Sequence, residues 1–133
     1  MVKVMIVENS AKPCFSLKNL LPSINFDIAF KTSNGFEAIE KYDTINPDLL
    51  LLDLILSKGD GKNVLKEIKK THPTSKIIII TLQSNKKLIE ECSDLGAEAC
   101  FTIPYKLKEF VTFVTNVIDS SKTKSKVAPV IID

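Results

Sequence analysis

Leu49-Leu50-Leu51-Leu52-Asp53-Leu54-Ile55-Leu56 is the stretch on which the fold turns. An aliphatic run without alternation has no face for water, which is how a strand reads when a parallel sheet is covered on both sides. One acid interrupts it. A carboxylate in such company is costly unless it emerges at the edge of the sheet or finds partners there. Asp53 is therefore expected where this strand ends.

Working outward, similar apolar segments recur at Val2 and Val4 to Val7, at Phe26 to Phe30 (weaker, with Asp27 near an edge), at Ile77 to Ile80 and at Ala99 to Ile103. Helical spacing falls between them. Leu17, Leu20 and Leu21 share a face before Pro22. Phe36, Ile39 and Tyr42 follow Asn34 and Gly35. Val64, Leu65 and Ile68 precede His72 and Pro73. Leu88, Ile89, Cys92 and Leu95 lead to a capping Gly96, and Phe110, Phe113, Val114, Val117 and Ile118 repeat at three and four. Five repeats of strand then helix predict an α/β domain, a parallel sheet between helices, over residues 1–119. Residues 120–133 read as a basic linker or C-terminal tail, with apolar Val127 to Ile132 around Pro129 either docking on the domain or leading elsewhere.

Composition narrows the function classes. The chain has 133 residues, 44% hydrophobic and 26% charged, which suits one globular domain. The net charge of +2 resides in the tail, where Lys122, Lys124 and Lys126 face Asp133, so the body is close to neutral and lacks a broad basic surface for nucleic acid. No apolar run approaches the roughly 20 residues of a membrane helix, and MVKVMIV is too short for a secretory signal. A cytoplasmic location is expected. Cys14, Cys92 and Cys100 have no metal-ligand spacing, and an odd count argues against a complete disulfide framework. They read as reduced packing thiols. His72, at a helix end, suits the terminal carbonyls there and has no catalytic partner pattern.

In strand–helix alternation, polar groups just past the C-terminal strand ends meet in one crevice. Glu8 and Asn9 follow the first strand, Asp53 the third and Thr81 the fourth. Turn-capping for Asp53, and strand-finishing or helix-capping for Thr81, are the bland alternatives.

In this order and spacing the residues resemble the receiver domains of two-component response regulators, over roughly Val2 to Asp119. The acidic pair after strand one falls on Glu8 and Asn9, and the phosphoacceptor aspartate on Asp53. The following turn falls on Leu54 through Gly61, ending in the typical Asp60-Gly61. The hydroxyl switch falls on Thr81, Gly-Ala on Gly96 and Ala97, and the Lys-Pro-aromatic motif on Ile103, Pro104 and Tyr105. The resemblance implies a three-layer, CheY-like (flavodoxin-like) sandwich with a five-stranded parallel sheet of order 2-1-3-4-5. It implies Mg²⁺ held by Glu8 through water, Asp53, the Asn9 amide and the Ile55 carbonyl. Implied partners are a histidine kinase or histidine phosphotransfer protein, and a C-terminal effector domain or downstream protein. Pairing through the fourth helix, fifth strand and fifth helix would give at most a weak homodimer.

The departures concern chemistry. Asn9 stands where the family supplies a second carboxylate, Ile103 where it has its lysine, Ser57 where proline is usual, Leu82 where a small residue follows the switch, and Cys100 at the aromatic switch position. The expected function is phosphoacceptance on Asp53 at reduced efficiency, an Mg²⁺-dependent self-modification and not metabolic catalysis. The alternative is a degenerate receiver acting as a phosphorylation-independent binding module. A nucleotide or flavin domain of the same topology is disfavoured, because Ser10, Ala11 and Lys12 stand where a phosphate-cradling glycine loop would be.

Overall fold

A computed structural model of the chain describes residues 2–9, 26–81, 85–102, 112–117 and 131–132. Its elements are β1 (Val2–Val7), β2 (Phe26–Thr32), α1 (Gly35–Ile45), β3 (Leu49–Leu52), α2 (Gly61–Thr71), β4 (Ile77–Thr81), α3 (Lys86–Asp94), β5 (Ala99–Thr102) and β6 (Ile131–Ile132). Residues 112–117 are helical. The helix expected around Leu17, Leu20 and Leu21 lies outside the described residues, as do Cys14, Leu82 and 103–111.

All strand pairs are parallel, in the order β2-β1-β3-β4-β5-β6. This is the expected 2-1-3-4-5 sheet with one addition: Ile131 and Ile132 pair with Cys100 and Phe101 along the outer edge of β5. Alternation along the strands divides the core in two. Met5, Val7, Leu50, Leu52, Ile77, Ile79 and Cys100 face Ala38 and Tyr42 of α1, Val64, Leu65 and Ile68 of α2, and Ile89 and Cys92 of α3. Val4, Ile6, Leu49, Leu51, Ile78, Ile80, Ala99 and Phe101 face Val114 and Val117. Phe113 meets Phe101 edge-to-face, with centroids 5.5 Å apart.

The helices α1, α2 and α3 each start on an Asn or Asp. The Asn34 side chain accepts from the N–H groups of Phe36 and Glu37, Asp60 from Asn63, and Asn85 from Leu88, using donors that the first helical turn leaves free. The cap at Asn34 sets the rotation of α1, and with it corrects one expectation. Gly35, Ala38 and Tyr42 face inward, whereas Phe36 is 60% exposed. Its ring lies beside Gly59, where a Cβ would meet it at 3.4 Å.

β2 also runs two residues past Phe30, through Lys31 and Thr32. Its pairing with β1 shifts between Val4 and Met5, which lie opposite Ile28 and Phe30. Ala29 is left unpaired, as the extra residue of a bulge.

Candidate functional site

The crevice is built from the register of the sheet. Val7 pairs with Leu52 and Leu52 with Ile79, so Glu8 and Asp53 are the next residues on neighbouring strands and Thr81 lies one step further along β4. The Asp53 N–H donates to the Val7 carbonyl at 2.8 Å. With adjacent strands about 5 Å apart, the two acids leave the sheet side by side.

Both are buried. Asp53 is 4% exposed, Glu8 3% and Thr81 fully covered. Asp53 Oδ1 accepts the Ile55 N–H at 3.1 Å, which turns the chain sharply after β3. The loop then doubles back. Ile55 bridges Asp60, and the Gly61 N–H donates to the Leu54 carbonyl at 2.9 Å. Gly61 has no room for a side chain: a Cβ there would lie 2.1 Å from the Asp53 carbonyl oxygen. The Asp60-Gly61 pair thus has two duties, with Asp60 capping α2 and Gly61 allowing its first turn to press against the Asp53 backbone.

Glu8 is held differently. Its N–H donates to the Thr32 carbonyl at 3.0 Å, and its Oε1 lies 2.8 Å from the Lys31 Nζ. Its other oxygen, Oε2, is buried and has no hydrogen-bond partner among the described residues. Asn9 is half-buried beside it and Ile55 is exposed. The oxygens within this group are two carboxylates, the Asn9 amide and the Ile55 carbonyl. They are in type the hard donors that Mg²⁺ accepts. Among the described residues no group of three or more His, Cys, Asp or Glu is placed to hold a metal ion, and the present set brings two carboxylates with Asn9 neutral.

Glu8, Asn9, Asp53 and Ile55 are therefore brought together at one end of the sheet, with Thr81 on the next strand. Ile103, Pro104 and Tyr105 lie outside the described residues. Lys58, a candidate to replace the missing cation, is exposed on the loop after β3. Ser57, in the usual proline position, donates to the Ser33 carbonyl at 2.9 Å and lies 3.0 Å from the Ser33 hydroxyl, tying that loop to the end of β2. Sequence reasoning missed Lys31. The rule that found Glu8, Asp53 and Thr81, applied also to the end of β2, would have found it.

The other candidates stay apart. Cys92 and Cys100 are buried free thiols. Burial pushes the first up to about 11 and the second to about 12, which disfavours the reactive thiolate. His72 lies near the opposite end of the sheet, its Nε2 3.1 Å from Asp43 Oδ1 and its ring edge-on to Tyr42.

Known proteins agree with this architecture. Residues 4–115 match the model of the response regulator receiver domain. The chemotaxis protein CheY of Thermotoga maritima is 28% identical over 115 residues, covering 86% of this chain and 96% of that protein. Among solved structures, the signal receiver domain of a putative Luxo repressor protein from Vibrio parahaemolyticus is 26% identical with a TM-score of 0.81, covering 91% of this chain and 92% of that one. CheY in the CheX–CheY–BeF3–Mg complex from Borrelia burgdorferi is also 26% identical, with a TM-score of 0.79 and coverage of 87% and 88%. No helix among the described residues is long and apolar enough to cross a membrane. With the buried acid at the end of β3, the tight Asp60-Gly61 turn and a family match over most of its length, this chain belongs to the response regulator receiver domain family.

Proposed function

We propose that Asp53 accepts a phosphoryl group from a histidine kinase or a histidine phosphotransfer protein, and that the domain relays the change by protein–protein contact. The observation that carries this reading is the pair of buried carboxylates on neighbouring strand ends, Asp53 oriented by the Ile55 N–H and Glu8 with one oxygen unpartnered among the described residues. Burying two acids side by side is costly, and cation and phosphoryl chemistry gives that arrangement a use.

An oxygen of Asp53 forms the bond to phosphorus while the bond to the donor breaks on the far side, the electron pair leaving with the donor. Glu8, Asp53, the Asn9 amide and the Ile55 carbonyl would hold Mg²⁺, as the Mg²⁺ of the Borrelia complex supports by likeness. When bound, such an ion would supply positive charge against the phosphoryl oxygens. Thr81 would offer its hydroxyl to one of them. Asn9 supplies no charge and Ile103 no cation, so transfer is slow. A partner surface on the exposed Lys86, Lys87 and Glu90 of α3 supports at most weak, salt-screened pairing.

Mass spectrometry after incubation with a small phosphodonor and Mg²⁺ tests the reading. The parent should gain the mass of one phosphoryl group, and Asp53→Asn should gain none. An unmodified parent would overturn phosphoacceptance and favour the second reading, a phosphorylation-independent binding module. That reading draws its support from Asn9 and from the ion pair that already neutralises Glu8.

A further inference from the structure

Lys31 pairs with Ile6 in the sheet, two residues before Glu8. Had the register Val4–Ile28 continued without interruption, Lys31 would lie opposite Val7, on the other face. The bulge at Ala29 moves it to the level and face of Ile6. Strand alternation directs Glu8 to that same face, and the Lys31 Nζ comes to 2.8 Å from Glu8 Oε1. The contact is thus built by an irregularity in the sheet and is not a chance meeting of two surface chains.

The pair is asymmetric. The Lys31 side chain is 59% exposed and that of Glu8 4%. A hydrated ammonium on a flexible stem can swing into solvent, whereas the carboxylate cannot leave. Lysine also satisfies only half of its partner, since Glu8 Oε2 remains buried without a partner among the described residues. Among the described residues at these strand ends, with Asn9 neutral, Glu8 and Asp53 bring negative charge, and Lys31 offsets that of Glu8.

We propose that Lys31 is a resident cation of the crevice, balancing Glu8 in the metal-free domain and competing with a divalent ion for that carboxylate. Metal entry releases the lysine to solvent, so this displacement lowers the affinity for metal in addition to the missing acid at Asn9. This inference rests on reading the crevice as a metal-assisted phosphoacceptor site, and makes Lys31 a positioning residue that sets the metal concentration at which the site is ready.

Calorimetric titration of Mg²⁺ into the full chain at low salt is the direct test, on the parent, Lys31→Met and Lys31→Arg. Removing the charge that the ion must displace from Glu8 should tighten Mg²⁺ binding in Lys31→Met by about tenfold, while Lys31→Arg stays within about twofold of the parent. Without metal, Lys31→Met should melt below the parent, because Glu8 loses its counter-charge, and Mg²⁺ should raise its melting temperature more than the parent's. Lys31→Gln serves if Lys31→Met does not fold. Equal affinities in parent and variant, or no binding by either, would overturn the proposal. Phosphodonor treatment of the same proteins separates it from the function on which it rests. Modification of Asp53 together with equal affinities rejects the role of Lys31 and keeps the acceptor. Tighter binding in Lys31→Met with Asp53 unmodified rejects the acceptor and keeps the resident cation.

Discussion

At the C-terminal ends of its strands the sheet buries two carboxylates, Glu8 and Asp53, whereas near the N-terminal ends Asp43 and Asp48 stay at the surface. At both ends a side-chain nitrogen meets an acid. Lys31 reaches the buried Glu8, and His72 reaches Asp43, whose side chain is 88% exposed. Both also tie acids to the backbone: Asp53 accepts from Ile55, and Asp48 accepts the Lys3 N–H at 2.8 Å. A pocket of about 440 Å³ opens beside Tyr42, Asp48, His72 and Ser75, and at that end the acids serve the strand and helix termini. The lesson lies in burial. An exposed acid that caps a terminus loses little hydration and calls for no further explanation. A buried acid with an oxygen left unpaired has lost its water without full replacement.

Four substitutions test this contrast. The largest effect is expected from Gly61→Ala, since the added Cβ would meet the Asp53 carbonyl oxygen at 2.1 Å. Backbone on both sides leaves little room to yield, and a loss of about 3 kcal/mol, over a hundredfold in the folding equilibrium, should appear in urea unfolding. A near-neutral result would mean that the loop after β3 is not clamped on Asp53 as the structure has it.

Next comes Ile103→Lys. A charge-assisted bond to a phosphoryl oxygen is worth roughly 1.5–3 kcal/mol, so the initial rate of Asp53 modification should rise about ten- to a hundredfold. An unchanged rate would show that another cation, such as Lys31 or Lys58, already does the work.

Asn9→Asp restores a carboxylate beside Glu8 and should tighten Mg²⁺ binding by roughly five- to tenfold in a calorimetric titration. Equal affinities would remove Asn9 from the site. Because Asn9 and Lys31 act on the same ion, their effects need not add.

The smallest change is expected at the other end. Asp43→Asn removes an exposed acid paired with His72 and should alter stability by no more than about 0.5 kcal/mol. A shift of several degrees in melting temperature would mean that this end carries a charge network of its own.

Much of this was legible in the residues. The unbroken runs at Leu49 to Leu52 and Ile77 to Ile80 became the buried β3 and β4. The apolar stripe of Val64, Leu65 and Ile68 became the inner face of α2. Gly96, expected after a helix, adopts the positive φ of 105° that favours glycine there. Glu8, Asp53 and Thr81 could be placed at strand ends because periodicity and apolar run length are local quantities: each residue's neighbours in the chain show whether it faces water.

What the chain alone left undecided depended on contacts between segments far apart in sequence. Phe36 fits the helical stripe of α1, yet the rotation set by the Asn34 cap and the approach of Gly59 leave it outside. Lys31 could be placed near the end of β2, but its meeting with Glu8 depends on a one-residue bulge in the pairing of β2 with β1, and a shift of one position moves every later side chain to the other face. The docking of Ile131 and Ile132 on β5 was one of two options for an apolar tail. Local sequence determined which segments become strands and helices and which polar residues stand at their ends. Only the packing of those segments decided the register between them, and with it which cation the buried glutamate meets.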